Sequence, residues 1–84
     1  MADAITITPI NGELARITFP DGLEGNVAIV MTDLLGRMVL RDEMWMGSRR
    51  QYDIHLSSMN IPSGIYFVRV DGAGMVKTQK VWKK

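Results

Sequence analysis

The 84-residue chain is 46% hydrophobic and 23% charged. It has room for one domain and for no deep catalytic cleft, because a chain of this size withdraws only roughly 60–65% of its unfolded surface from water. Its net charge of +1 excludes bulk attraction to nucleic acid or an anionic membrane, its composition excludes a disordered tail, and its lack of cysteine excludes disulfides, thiolate metal sites and a cysteine nucleophile.

In chain order, the segments are short, alternate with a period near two and are punctuated by Gly, Pro, Asn and Asp, which predicts an all-β protein. Ile5 and Ile7 alternate with Thr6 and Thr8, and Ala15, Ile17 and Phe19 alternate with Leu14, Arg16 and Thr18, giving two strands broken by Pro9 to Gly12. Pro20-Asp21-Gly22 turns the chain. Asn26 to Thr32 is apolar at both parities, so a central strand buried on both faces is expected. In Asp33-Leu34-Leu35-Gly36 the Asp carboxylate caps a turn and Gly takes positive φ, leading into a strand from Arg37 to Trp45.

Gly47 to Arg50 is the next turn, with Arg49-Arg50 exposed in it. Tyr52, Ile54 and Leu56 then alternate with Gln51, Asp53 and His55, which sends His55 to solvent. Ser57 to Ser63, with Pro62, is a connection holding a short helical turn, and Leu23 and Met59 lie in connections where they either plug the sandwich ends or form a docking patch. Gly64 opens a strand from Ile65 to Val70 with Tyr66, Val68 and Val70 inward, and Asp71-Gly72-Ala73-Gly74 is a hairpin loop whose two glycines supply positive φ. Met75 to Trp82 is the last strand. About seven strands at this spacing predict an immunoglobulin-like antiparallel β-sandwich without its disulfide, with a small closed barrel as the alternative.

The inventory for chemistry is poor. The one histidine, His55, is on the polar side of its strand, and Asp42 and Glu43 point to opposite faces, so they are read as solvated residues and not as an acid–base pair. Asp71 to Gly74 lacks the helix and the Gly-Lys-Ser/Thr of a phosphate loop. Met44-Trp45-Met46 either lines an adaptable surface or fills the core. Trp45, Trp82 and Phe67 are not interleaved with arginines as a nucleic-acid surface requires. These observations point to no catalysis, no cofactor, no metal and no nucleic acid. Charge is unevenly spread: no acid follows Asp71, whereas Lys77, Lys80, Lys83 and Lys84 do.

No apolar run approaches the roughly 20 residues that span a bilayer, and Met1-Ala2-Asp3-Ala4 lacks the regions of a signal peptide. The chain is expected to be either cytoplasmic or a piece of a longer exported precursor.

From Val27 onward four ordered features carry a resemblance. A hydrophobic strand runs into Asp33-Leu34-Leu35-Gly36-Arg37-Met38-Val39; Tyr52 to Met59 supplies a leucine and serine connection; Pro62-Ser63-Gly64-Ile65-Tyr66-Phe67-Val68-Arg69-Val70 forms a Gly-x-Tyr strand; and Lys77 to Lys84 closes the chain. In this order, over about 58 residues, they resemble the C-terminal sorting domains of the type IX secretion system of Bacteroidetes.

The resemblance implies one domain over residues 1–84, excised from a longer precursor whose N-terminal cargo it carries through the periplasm to an outer-membrane translocon. It also implies removal by a sortase-like protease, with surface attachment or secretion of the cargo. Translocon recognition falls on Gly64, Tyr66, Lys80, Val81, Lys83 and Lys84, and Asp33 and Gly36 form the turn motif. An open strand edge leaves homodimerisation available. The competing expectation is an immunoglobulin-like adhesion or carbohydrate-binding module, with Trp45 or Trp82 stacking on a sugar.

Overall fold

A computed structural model of the chain describes residues 4–21, 23, 25–45, 50–72 and 74–84. Seven strands follow in order: β1 (Thr6–Ile10), β2 (Leu14–Thr18), β3 (Asn26–Asp33), β4 (Met38–Trp45), β5 (Gln51–His55), β6 (Gly64–Gly72) and β7 (Met75–Lys83), with a 3-10 turn at Leu56–Ser58 after β5. They form a three-stranded sheet, β1-β2-β5, and a four-stranded sheet, β4-β3-β6-β7, with every pairing antiparallel. Two separate sheets make a sandwich and rule out the closed barrel.

The core is the layer between the sheets. Ile7, Ala15, Ile17 and Ile54 from the small sheet meet Val27, Ile29, Met31, Tyr66, Val68, Val70 and Val81 from the large one. Alternate residues of each strand reach this layer because successive side chains leave a strand on opposite faces. Leu23 is buried and Met59 packs against the core, so both plug the sandwich. A hydrogen bond also crosses between the sheets: the Tyr52 hydroxyl donates to Asp42 Oδ2 at 2.8 Å. Asp42 is therefore half-buried and engaged, not simply solvated, while its neighbour Glu43 is exposed and pairs with Arg41.

Three expectations are corrected. β1 runs through Pro9 to Ile10, with Pro9 opposite Ala15, because β1 is an edge strand where a missing N–H leaves no ladder bond unmade. The turn is made instead by Asn11 and Gly12, both at positive φ (53° and 69°). β3 is central, yet only Val27, Ile29 and Met31 are buried; Ala28 and Val30 stay half-exposed because the second sheet covers one face alone. In the β6–β7 hairpin Gly74 has φ +79° but Gly72 is not at positive φ; a side chain there would come within 2.8 Å of the Asn26 carbonyl and of Val27. Gly22, Met46, Gly47 to Arg49 and Ala73, which enter the expected turns and the Met44-Trp45-Met46 surface, lie outside the described residues.

Candidate recognition surface at one end of the larger sheet

The β3–β4 turn is built by one carboxylate. Asp33 Oδ1 accepts the N–H groups of Leu35 and Arg37, both at 2.9 Å, and Oδ2 accepts Arg37 Nε at 2.7 Å. Backbone bonds from Gly36 N–H to the Asp33 carbonyl and from Asp33 N–H to the Arg37 carbonyl close the loop, and Gly36 takes φ +82°. The Arg37 backbone donor, followed by its guanidinium and the Leu35 N–H, holds the Asp33 carboxyl below the usual carboxylate range, outweighing its partial desolvation. Asp33 and Gly36 thus do what their types and spacing announce.

Just beyond the turn a bulge in the β3–β4 ladder pairs Met31 with Leu40 but Thr32 with Met38. The extra residue, Val39, packs with Leu40 on the core, and Met38 is left exposed.

Gly64 and Tyr66 open β6. Gly64 has φ +145°, which an L side chain rarely adopts, and no atom crowds its missing Cβ, so the glycine answers a backbone demand. Tyr66 is buried, and its hydroxyl donates to the Pro62 carbonyl at 2.6 Å, tying the connection to the strand as a tyrosine corner does.

Strand register gathers the separate motifs. Asp33 lies opposite Tyr66, Tyr66 opposite Val81, Gly64 opposite Lys83, and Phe67 opposite Lys80. The turn motif, the Gly-x-Tyr strand and the basic end therefore meet at one end of the four-stranded sheet. An open depression of about 480 Å³ lies there, between the β3–β4 turn and the Pro62–Ile65 segment.

Within this group the roles divide. Val81 is buried, so it anchors β7 in the core and offers no surface to a partner, as its inward parity opposite Tyr66 dictates. Lys80 and Lys84 are exposed, and Lys83 is half-buried. The end of β7 is tied down: Lys84 N–H donates to the Gly12 carbonyl at 2.8 Å, and a Cβ on Gly12 would lie 2.4 Å from the Trp82 ring. Sequence reasoning missed this contact because no local pattern links residues 70 positions apart.

The charges separate sharply. Each described arginine is paired with a carboxylate: Arg16 with Asp53, Arg37 with Asp33, Arg41 with Glu43, Arg50 with Asp21 and Arg69 with Asp71. All four lysines of the sequence lie in residues 77–84, and among the described residues none has an ion-pair partner.

The remaining candidates do not converge. His55 is exposed at the end of β5, Trp45 is exposed at the far end of β4, and Trp82 is spent partly on Gly12. Among the described residues no group of three or more His, Cys, Asp and Glu could hold a metal ion. No helix there is long and apolar enough to cross a membrane.

The family model described as "Secretion system C-terminal sorting domain" matches residues 6–84. The chain belongs to the type IX C-terminal sorting domain family. The match takes in β1 and β2 as well as the motifs that begin at Val27. Among solved structures, this sorting domain is similar to a DUF3244-family protein with an immunoglobulin-like β-sandwich fold from Bacteroides vulgatus. The TM-score is 0.77 at 20% identity, over 95% of this chain and 84% of that one, a likeness that establishes the fold. No curated protein matches the sequence. As a type IX sorting domain, the chain is a signal for export toward the outer membrane, cell surface or exterior, joined to a cargo and addressed to the secretion system.

Proposed function

We propose that residues 1–84 act as one folded, non-catalytic label at the end of a longer precursor, read by the outer-membrane translocon after passage through the periplasm. The family match over residues 6–84 carries this reading. The convergence of Gly64, Tyr66, Lys80, Val81, Lys83 and Lys84 at one sheet end supports the assignment of recognition to that end. In it Gly64, Tyr66 and Val81 set the shape, and Lys80, Lys83 and Lys84 supply charge that no acid among the described residues neutralises. β7 is an edge strand of its sheet, so its outer side offers backbone groups to a partner or a second copy where neighbouring β1 and the Lys84–Gly12 bond do not cover it. Removal by a sortase-like protease upstream of β1, followed by surface attachment or release of the cargo, completes the proposal.

The test is a reporter of known periplasmic stability placed ahead of residues 1–84 in a host with a type IX system. The fusion is expected at the cell surface or in the medium. Lys83→Ala with Lys84→Ala is expected to leave the reporter in the periplasm with the domain still folded. Substitution is preferable to truncation, because the Lys84 N–H bond to Gly12 survives it. Undiminished export of the double variant would remove the lysines from the recognised set.

A further inference from the structure

The β3–β4 turn exposes two leucines that the fold does not use. Leu34 and Leu35 are 66% and 78% exposed, and a leucine left in water forgoes the stabilisation that burial of its side chain gives. Neither position has a backbone demand that favours leucine, since Asp33 and Gly36 meet the requirements of the turn. Five hydrogen bonds within Asp33–Arg37 nevertheless fix the loop that carries them.

The leucines are not isolated. Met38, exposed beside them, and half-buried Ile65 line the same depression, and Ile65 lies opposite Trp82, which remains 46% exposed. An apolar surface thus runs from the turn across the sheet end to β7. There it meets exposed Lys80, which leaves β7 on the same face as Trp82 and has no ion-pair partner among the described residues, while Asp33 is already consumed by Arg37. The surface is apolar at its centre and uncompensated in positive charge along one border.

We propose that Leu34, Leu35 and Met38, with the depression floored by Ile65, form a docking surface for a protein that presents an apolar groove rimmed by carboxylates. The inference rests on the sorting-signal reading and names the chemistry of the partner that reads the label. Charge complementarity selects the acidic rim. A bilayer gains from apolar area of any shape, whereas side chains held at fixed spacing by a hydrogen-bonded turn are what a shaped groove matches with little ordering cost.

The experiment compares export of the reporter fusion with and without Leu34→Ser/Leu35→Ser. Each isolated domain is also followed by thermal unfolding, sedimentation velocity and flotation with phosphatidylglycerol vesicles. The double variant should keep its melting temperature and lose export by about tenfold or more, as loss of apolar anchors at the centre of an interface does. If it unfolds early, Met38→Ser takes its place, with the same loss expected at unchanged stability. Full export of a folded variant overturns the proposal. So does a wild-type dimer that the variant abolishes, which assigns the surface to a second copy, or vesicle flotation that the variant abolishes, which assigns it to lipid. An unsubstituted fusion that stays in the periplasm refutes the sorting reading itself, and the proposal falls with it.

Discussion

At the scale of single residues, two carboxylates hold positions that their ionised forms alone can fill. Asp33 organises the β3–β4 turn, and Asp53 takes a fork from Arg16, Nε to Oδ1 at 3.0 Å and Nη2 to Oδ2 at 3.2 Å, between β2 and β5. The Arg16 hydrogen bonds chiefly hold Asp53 below its ordinary range, as the Arg37 backbone N–H does for Asp33. A native pKa below the unfolded value means that the unfolded chain binds more protons in acid. The stabilisation is complete above the ordinary aspartate pKa of about 4 and drains away as pH falls through the lowered native values. Urea midpoints measured from neutral pH down to about 2 should therefore fall on the acid side, and Asp33→Asn should flatten that fall. Identical acid limbs for wild type and variant would show that the turn does not depend on the charge.

At the scale of elements, the end of β7 is held by a turn from the opposite sheet. Gly12 sits at φ +69° with the Trp82 ring where a Cβ would stand, and its carbonyl receives the Lys84 N–H. Gly12→Ala should cost about 1–3 kcal/mol through positive φ and displacement of the indole, with a red shift of tryptophan emission in the native state. Unchanged stability and emission would mean that the β1–β2 turn does not hold the strand end. The strands themselves were legible because their apolar residues alternate: Tyr52, Ile54 and His55 lie where the period of two puts them. The Asp33 turn was equally legible, since an Asx-capped loop needs only local chemistry. Pro9 misled because proline signals a break in a central strand and none in an edge strand, and sequence does not say which strands are edges. Gly72 misled for a related reason: its neighbour is Asn26, distant in the chain, and the constraint is space rather than φ.

At the scale of the whole molecule, 15 of the described residues form the hydrophobic core, and none of the described elements covers the outer sheet face. The gathering of motifs at one end was only half legible. Asp33, Tyr66 and Val81 are far apart in sequence and become neighbours only through the ladder order β3-β6-β7, which spacing alone does not give. Charge separation was visible as a run of lysines, but its meaning required the arginines to be seen paired. On the proposed function, the assembled sheet end, and not a linear tail, is what the export machinery reads. The most direct test is export of the reporter fusion carrying Val68→Asp, which places an unpaired charge at a wholly buried position and should unfold so small a domain. The reporter should be held in the periplasm at normal abundance with an intact lysine tail, and its arrival at the cell surface as efficiently as wild type would show that the tail is read without the folded sheet end.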